Sequence, residues 1–224
     1  MNEPTDQQRR ELAAARHDML SHQLLDRGVD APDVLRAIAA VPREAFVPEP
    51  LWHEAYSDRA LSIDCAQTIS QPYIVGLMTQ AVAPQGHEHV LDVGTGSGYQ
   101  AAVLSRLARD VITIERHAPL SAAARRVIEA LSYTNIEFVV GDGSLGWPAA
   151  APYDAIVVAA AAPRCPPALF EQLAEGGRIC LPVDTEHGQR LQVIRKVDGR
   201  ARVRWLCDVR FVPLVGAQGK QHDD

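Results

Sequence analysis

The sequence predicts an α/β protein with a doubly wound, mostly parallel, seven-stranded sheet, an antiparallel C-terminal hairpin and an N-terminal helical extension. Three observations predict this class. Short apolar runs alternate with helical segments after Pro84, a glycine cluster follows the first run, and no helix separates the last two runs. Strands that alternate with helices form right-handed crossovers, and these produce a parallel sheet with helices on both faces.

The first 84 residues are expected to form a helical and irregular extension. We expect helices over residues 7–28, 32–40 and 72–82. Leucines and a methionine on one stripe predict the first helix, and Gly28 ends it. Pro72 lies in the first turn of the third helix, where its fixed φ is favourable. The prolines between residues 41 and 63 predict irregular structure.

Residues 85–215 are expected to form the Rossmann-like core of a single domain. Predicted strands cover residues 90–93, 111–114, 136–140, 155–158, 178–181, 190–197 and 201–213. Predicted helices cover residues 99–107, 120–131 and 167–173. Asp198-Gly199 predicts the turn of the terminal hairpin, because both residues tolerate left-handed backbone. The polar residues 216–224 are expected to form a loose tail.

Charge and composition exclude several classes of function. Lys and Arg number 22 against 28 Asp and Glu, so the net charge of −6 argues against nucleic acid as a partner. The cysteines, at positions 65, 165, 180 and 207, lack the paired spacing of a zinc or redox site, and we expect no metal. The sequence lacks a signal peptide pattern and an apolar run of about 20 residues, so no membrane partner is expected. A cytoplasmic enzyme is the expectation.

A glycine cluster is the strongest functional signal in the chain. Gly94, Gly96 and Gly98 follow the first core strand and precede a helix, where a tight turn lets a ligand approach the backbone. Glu115 ends the next strand, which places a carboxylate where the ribose hydroxyls of a bound nucleoside would lie. The cluster therefore predicts a nucleoside-containing ligand, against the simpler possibility that Glu115 only ends a strand.

The glycine spacing disfavours a dinucleotide as the ligand. It reads G-x-G-x-G after Asp92, whereas dinucleotide enzymes favour G-x-G-x-x-G. This pattern resembles motif I of the class I S-adenosylmethionine methyltransferases. The resemblance implies S-adenosylmethionine as cofactor, with the loop that includes Thr95 around its methionine end. It also implies that Asp142 and Gly143 meet the adenine, with Asp142 accepting a hydrogen bond from the exocyclic amine.

Further stretches narrow the resemblance to one family. They are Val41 to Pro48, Thr68-Ile69-Ser70-Gln71-Pro72, Gly94 to Gln100, Gly141 to Pro148, Tyr153 to Pro163 and Val209 to Leu214. Together they span nearly the whole chain. The sequence resembles the protein-L-isoaspartate O-methyltransferases, and the Thr-Ile-Ser-Gln-Pro segment is far more specific to them than motif I.

The resemblance implies a repair activity on isoaspartyl proteins and peptides. Methyl esterification of the free α-carboxylate permits succinimide formation, which returns part of the damage to normal aspartate. A carboxylate with a pKa near ~4 is already ionised at neutral pH, so the reaction needs no general base. We expect catalysis to depend on in-line alignment of the reacting atoms.

Site residues follow from the same resemblance. Ser70 is the implied catalytic residue and orients the acceptor carboxylate through its hydroxyl. Gln67, Thr68 and Ile69 are implied to line the cofactor cleft beside Ser70. Thr68 and Ser70 are also implied to contact the substrate, whose backbone would dock at Val212 and Leu214.

Two departures from the family pattern leave alternatives open. Asp64-Cys65-Ala66 replaces a glycine-containing lead-in, and Ala159 stands where threonine is common. The alternatives are a carboxyl methyltransferase with another acceptor, such as aspartate in a modified peptide, and a cofactor-binding protein without turnover. An oxidoreductase is disfavoured by the glycine spacing, and a nucleic-acid methyltransferase by the charge. The family resemblance favours a monomer.

Overall fold

The computed structural model describes residues 4–221. Its α-helices are α1 Asp6–Asp18, α2 Pro32–Ala40, α3 Pro72–Val82, α4 Tyr99–Ser105, α5 Ala118–Ala130 and α6 Pro167–Glu171. Its strands are β1 Leu61–Ser62, β2 Thr68–Ile69, β3 His89–Val93, β4 Asp110–Glu115, β5 Ile136–Val140, β6 Tyr153–Val158, β7 Leu173–Thr185, β8 Gly188–Val197 and β9 Arg200–Val209. None of the helices in this range is both long and apolar enough to span a bilayer.

The large sheet has seven strands in the order β5-β4-β3-β6-β7-β8-β9. Strands β3 to β7 pair in parallel, whereas β8 and β9 are antiparallel, which confirms the predicted class. The chain leaves β3 towards β4 on one side and later returns to place β6 on the other. In open α/β sheets ligands bind at this switch point, at the carboxyl ends of the strands.

The terminal hairpin turns where the sequence predicts. Asp198 and Gly199 both have positive φ, 52° and 68°, which suits the twist of a two-residue hairpin. β9 ends at Val209 and not at residue 213. Beyond it, the Ala161 amide donates to the Val212 carbonyl at 2.8 Å. This pairing draws the chain off the sheet edge and across the carboxyl end of β6.

The first helix differs from the single helix predicted over residues 7–28. A Thr5–Gln8 capping box starts α1, but after Asp18 the chain continues as a π-helical stretch, Met19–Leu24. Met19 and Leu24, five positions apart, are both fully buried. The wider i→i+5 turn brings residues at that separation close to one face, so packing selects it over a regular helix.

The extension also contains a small sheet that the sequence did not reveal. β1 and β2 pair antiparallel, with Leu61 opposite Ile69. Two 3₁₀ segments, Arg43–Phe46 and Glu49–Glu54, precede it. Strands of two residues are too short to show a period, which is why residues 41–63 read as irregular.

One hydrophobic cluster joins the extension to the sheet domain. Buried Leu12, Ile38 and Phe46 of the extension share it with Tyr99 of α4 and Ile128 of α5. The extension therefore completes the core on one face of the sheet.

The C-terminal segment differs from the predicted loose tail over its described part. The Ala217 amide donates to Asp142 Oδ2 at 2.7 Å, and the Gln218 amide donates to Ser144 Oγ at 2.9 Å. Lys220 forms an ion pair with Asp184 at 3.1 Å. These contacts hold residues 216–220 against the segment that follows β5 and against the end of β7. Residues 222–224 lie outside the described range.

Candidate active site

A cavity of about 410 Å³ lies at the carboxyl ends of β3, β4 and β6. Its volume falls within the range typical of small-molecule sites, about 300–1,000 Å³. The longest stretches of its wall are residues 67–71, 93–97, 114–117 and 208–215, and single residues from other parts of the chain complete it. The extension, the glycine loop and the segment after β9 therefore all border one space.

Most of the predicted site residues line this cavity. They are Gln67, Thr68, Ile69, Ser70, Gly94, Thr95, Gly96, Glu115, Gly143, Val212 and Leu214. The other three, Asp92, Gly98 and Asp142, do not line it. Asp92 is fully buried within β3, Gly98 caps α4, and Asp142 is bonded to the C-terminal segment.

The glycine loop is shaped by its backbone and by its own hydrogen bonds. Gly96 has φ +51°, and a Cβ there would lie 3.7 Å from Ile63. The Gly94 amide donates to the Ile114 carbonyl at 2.9 Å, and the Gly98 amide donates to the Thr95 carbonyl at 2.8 Å. Because these amides have acceptors within the chain, the loop lacks the open row of N–H groups that a pyrophosphate needs.

Glu115 is the carboxylate best placed to bind hydroxyl groups. It is only 6% exposed and lines the cavity. Its Oε2 accepts from the Gly96 amide and its Oε1 from the His117 amide, each at 3.0 Å. A carboxylate has about four lone-pair sites, so both oxygens keep capacity for further donors. The structure thus holds Glu115 rigidly with acceptor capacity to spare, as a ribose diol would require.

Asp92 supports the glycine loop from beneath. Its Oδ2 accepts from Thr113 Oγ1 at 2.8 Å, and Thr113 in turn bonds to Thr95 Oγ1 at 2.7 Å. Its Oδ1 is buried without a hydrogen-bond partner among the described residues. Burial raises the pKa of Asp92 to about 7, although the Thr113 hydrogen bond opposes the shift. Asp92 therefore links the loop to the strand beside it and does not face the cavity.

Asp142 and Gly143 mark the end of the cavity nearest the C-terminal segment. Asp142 Oδ1 accepts from the Ser144 amide and hydroxyl, at 2.9 and 2.7 Å, and Oδ2 accepts from Ala217. Burial raises its pKa, but these hydrogen bonds outweigh burial and hold the pKa below its ordinary value. A Cβ at Gly143 would lie 2.5 Å from Val93 Cγ1, so only glycine fits against β3.

Ser70 lies between β2 and α3 and lines the same cavity as the glycine loop. Its carbonyl accepts from Arg43 Nη2 at 2.7 Å. Within residues 4–221, the Ser70 hydroxyl makes no hydrogen bond, and it borders the cavity. The hydroxyl is thus available to a bound molecule, while its backbone is held.

Several cavity residues were missed by the sequence reasoning. Tyr99, Gln100 and Ala160 line the space, and Arg43 reaches the site through Ser70. Tyr99 and Gln100 directly follow the glycine cluster, so their position along the chain was a usable signal. Ala160 and Arg43 lie within stretches that carry the family resemblance, but their position along the chain does not indicate that the fold brings them to the site.

Sequence and structure comparisons place these features among known proteins. The family model described as Protein-L-isoaspartate(D-aspartate) O-methyltransferase (PCMT) matches residues 15–219. Protein-L-isoaspartate O-methyltransferase 1 of Geotalea uraniireducens is 51% identical over 210 residues, which cover 93% of this chain and 96% of the relative. The Koribacter versatilis protein-L-isoaspartate O-methyltransferase is 52% identical over 207 residues, covering 92% and 93%.

Two solved structures align with most of this chain. A protein-L-isoaspartate O-methyltransferase aligns with TM-score 0.81 and 31% identity, over 91% of this chain and 67% of that one. A putative protein-L-isoaspartate O-methyltransferase from Plasmodium falciparum, in complex with S-adenosyl-L-homocysteine, aligns with TM-score 0.77 and 26% identity, over 87% and 95%.

Proposed function

This chain belongs to the protein-L-isoaspartate (D-aspartate) O-methyltransferase family, and from that premise we propose how its cavity carries out the reaction. The reaction is methyl esterification of the free α-carboxylate of L-isoaspartyl residues in damaged proteins and peptides, with S-adenosylmethionine as the methyl donor. The ester then permits succinimide formation, which starts the repair.

The observation that supports the proposal is that Ser70 and the glycine loop line the same cavity. The Ser70 hydroxyl, without a partner among residues 4–221, faces the same space as Glu115 and the glycine loop. Glu115 has acceptors suited to a nucleoside, and Ser70 has a donor suited to a carboxylate. A methyl transfer needs both ligands side by side in one cavity.

The residues present fit S-adenosylmethionine. Glu115 supplies acceptors for the ribose hydroxyls, and Gly94, Thr95 and Gly96 leave room for the methionine end. Gly143 lines the cavity beside Val93, and the adenine would lie against it. Asp92 and Gly98 hold the loop from behind, and Gln67, Thr68 and Ile69 close the cavity near Ser70. When bound, the cofactor supplies a methyl group on a sulfonium, which is electrophilic without metal assistance.

Ser70 orients the acceptor in this proposal. Its hydroxyl donates a hydrogen bond to one oxygen of the substrate carboxylate, which directs the other oxygen along the line of attack. The carboxylate is already ionised at neutral pH, so Ser70 is not required to remove a proton. The described structure places no histidine in hydrogen-bond contact with Ser70, which supports an orienting role and not a nucleophilic one.

The peptide backbone docks along the segment after β9. One edge of this segment is paired, because the Leu214 amide donates to the Ala161 carbonyl at 2.7 Å. The Val212 amide makes no hydrogen bond to the rest of the described chain. In this proposal Val212, Leu214 and Thr68 contact the substrate. Residues 4–84 supply the acceptor side, and residues 85–215 supply the cofactor-binding core. Main-chain hydrogen bonds between this segment and the substrate would recognise the isoaspartyl backbone with little dependence on the substrate's side chains.

We also propose that the protein acts as a monomer in the cytoplasm. Its four cysteines are all free, as in a reducing compartment. The edge strand β9 is protected by Arg200, Arg202 and Arg204, which oppose pairing with another sheet. Sedimentation velocity tests this state: a dimer at micromolar concentration would contradict it.

The experiment that tests the function uses labelled S-adenosylmethionine and two peptides that differ only in isoaspartate against aspartate. The proposal predicts base-labile label on the isoaspartyl peptide alone. Label on the aspartyl peptide would indicate a different carboxyl acceptor. Cofactor binding without label on either peptide would indicate a protein without turnover.

A further inference from the structure

Arg43 is a fully buried cation in the extension, with a relative exposure of 0%. No carboxylate of the described chain pairs with it; the adjacent Glu44 pairs with Arg16 at 3.1 Å instead. Burial lowers the pKa of Arg43 to about 10. A buried charge without a counter-ion is costly, so its contacts must offset a considerable penalty.

Two contacts of Arg43, those with Ser70 and Tyr99, reach residues that line the cavity. Nε donates to the Ala55 carbonyl and Nη2 donates to the Ser70 carbonyl, both at 2.7 Å. The guanidinium also lies over the Tyr99 ring, 4.8 Å from its centroid. Tyr99 begins α4 directly after Gly98 and lines the cavity. One side chain thus connects the Ser70 segment with the end of the glycine loop.

The hydrogen bond from Arg43 to the Ser70 carbonyl restrains the backbone torsion that orients the Ser70 side chain. The Ser70 carbonyl belongs to the peptide that joins Ser70 to Gln71, the residue that precedes α3. Fixing that carbonyl restricts rotation of this peptide, and so the orientation of the Ser70 Cα–Cβ bond. The Ser70 hydroxyl itself has no hydrogen bond to the described chain, so its placement depends on the backbone.

We propose that Arg43 is a positioning residue for the methyl transfer: it fixes the Ser70 backbone relative to the glycine loop, so that the acceptor carboxylate lies in line with the methyl donor. This inference rests on the proposed function of the cavity. It assigns to Arg43 a role in the chemical step beyond that of holding the extension in place.

The test compares Arg43→Lys with Arg178→Lys. Arg178 is a matched control because it also donates to main-chain carbonyls, those of Val82 at 2.7 Å, Ala83 at 2.8 Å and Asp154 at 3.2 Å. It lies at the opposite end of the sheet, in an ion pair with Glu88. Lysine keeps the charge at both positions but loses the fork that reaches two acceptors at once. Arg43→Gln, which keeps one donor without charge, serves if the lysine variant does not fold.

We expect kcat for the isoaspartyl peptide to fall about 10²-fold in Arg43→Lys, since a displacement of about 1 Å can have an effect of that size. The Kd for S-adenosylmethionine, by calorimetry, should change less than about threefold. Arg178→Lys should lower thermal stability and leave kcat unchanged below its melting transition. Equal kcat values for the two variants, or a loss confined to cofactor Kd, would overturn the proposal.

Hydrogen exchange separates this inference from the function on which it rests. Amides of residues 67–71 should exchange faster in Arg43→Lys than in the wild type, whereas Arg178→Lys should leave them unchanged. This readout requires no turnover, so a wild type inactive on isoaspartyl peptides would refute the proposed function alone. Unchanged exchange in Arg43→Lys would refute the positioning role alone.

Discussion

Asp92, which lies beneath the glycine loop, is a residue whose ionisation the fold alters strongly. It is fully buried, one oxygen has no hydrogen-bond partner within residues 4–221, and Glu115 lies near enough to disfavour a second negative charge. Burial raises its pKa to about 7, whereas an unfolded aspartate titrates near ~4. The folded protein therefore binds a proton that the unfolded chain releases between these values.

This difference predicts that Asp92 makes stability depend on pH. Between about pH 4 and pH 7 the native state holds more protons at this site, so its contribution to the free energy of unfolding falls as pH rises. Asp92→Asn should remove this part of the slope, which amounts to a few kcal/mol at about 1.4 kcal/mol per pKa unit. Urea titrations at pH 5 and pH 8 measure it. A pH slope that is the same in the variant would show that Asp92 ionises normally.

The positions of single residues were predictable where neighbouring residues in the sequence determine them. Glu115 and the glycines stand at strand ends, and the carboxyl ends of neighbouring parallel strands must meet. Arg43 was not predictable, because its partner Ser70 is 27 positions away and is reached through its backbone. The partner of Asp142 also came from far along the chain, since Ala217 lies 75 positions beyond it.

At the scale of the element, the loop that precedes β2 has a strained backbone at two residues. Cys65 and Ala66 have φ of 57° and 55°, in the left-handed region where a Cβ is unfavourable. Glycine would adopt this backbone without the Cβ penalty. The departure noted in the sequence thus has a structural cost, and the loop keeps its shape despite it.

We predict that Ala66→Gly raises the free energy of unfolding by about 0.5–1 kcal/mol, because relief of strain exceeds the added chain entropy. Ala83→Gly, at φ 41° after α3, should stabilise similarly, since it is a C-cap position remote from Ser70. Ala122→Gly, exposed within α5, should instead cost about 1 kcal/mol. If Ala66→Gly destabilises as Ala122→Gly does, the loop is not strained.

Elements with strong end signals were predictable from the sequence. α2 and α3 begin at Pro32 and Pro72 and end at the predicted residues. The hairpin turn also lies where Asp198-Gly199 predicted it. The small β1/β2 sheet and the π-helical stretch after α1 were not predictable, because tertiary packing and not local propensity selects them.

At the scale of the whole molecule, the extension and the sheet share one hydrophobic cluster. Leu12 and Ile38 pack in the same buried cluster as Val103 and Ile128. Arg16 ties α1 to later parts of the extension through Tyr56 at 2.7 Å and Glu44. An extension that shares its core with the sheet cannot bury its apolar surface alone.

We therefore predict a single cooperative unfolding transition. Far-ultraviolet circular dichroism, which reports on the helices, and the fluorescence of Trp52, which lies in the extension, should give the same midpoint in urea. Trp147→Phe and Trp205→Phe substitutions isolate that fluorescence signal. A separate, earlier transition of Trp52 would mean that the extension unfolds independently of the sheet.

The central claim is that Ser70 orients an isoaspartyl carboxylate at this cavity, and one measurement tests it most directly. Single-turnover methyl transfer to an isoaspartyl peptide is compared between wild type and Ser70→Ala, with cofactor Kd measured on both. We predict a rate about 10²-fold lower in the variant, the size of effect that loss of one oriented donor has elsewhere, with cofactor Kd unchanged. An equal rate in the variant would contradict the account, because the methyl transfer would then not depend on the Ser70 hydroxyl.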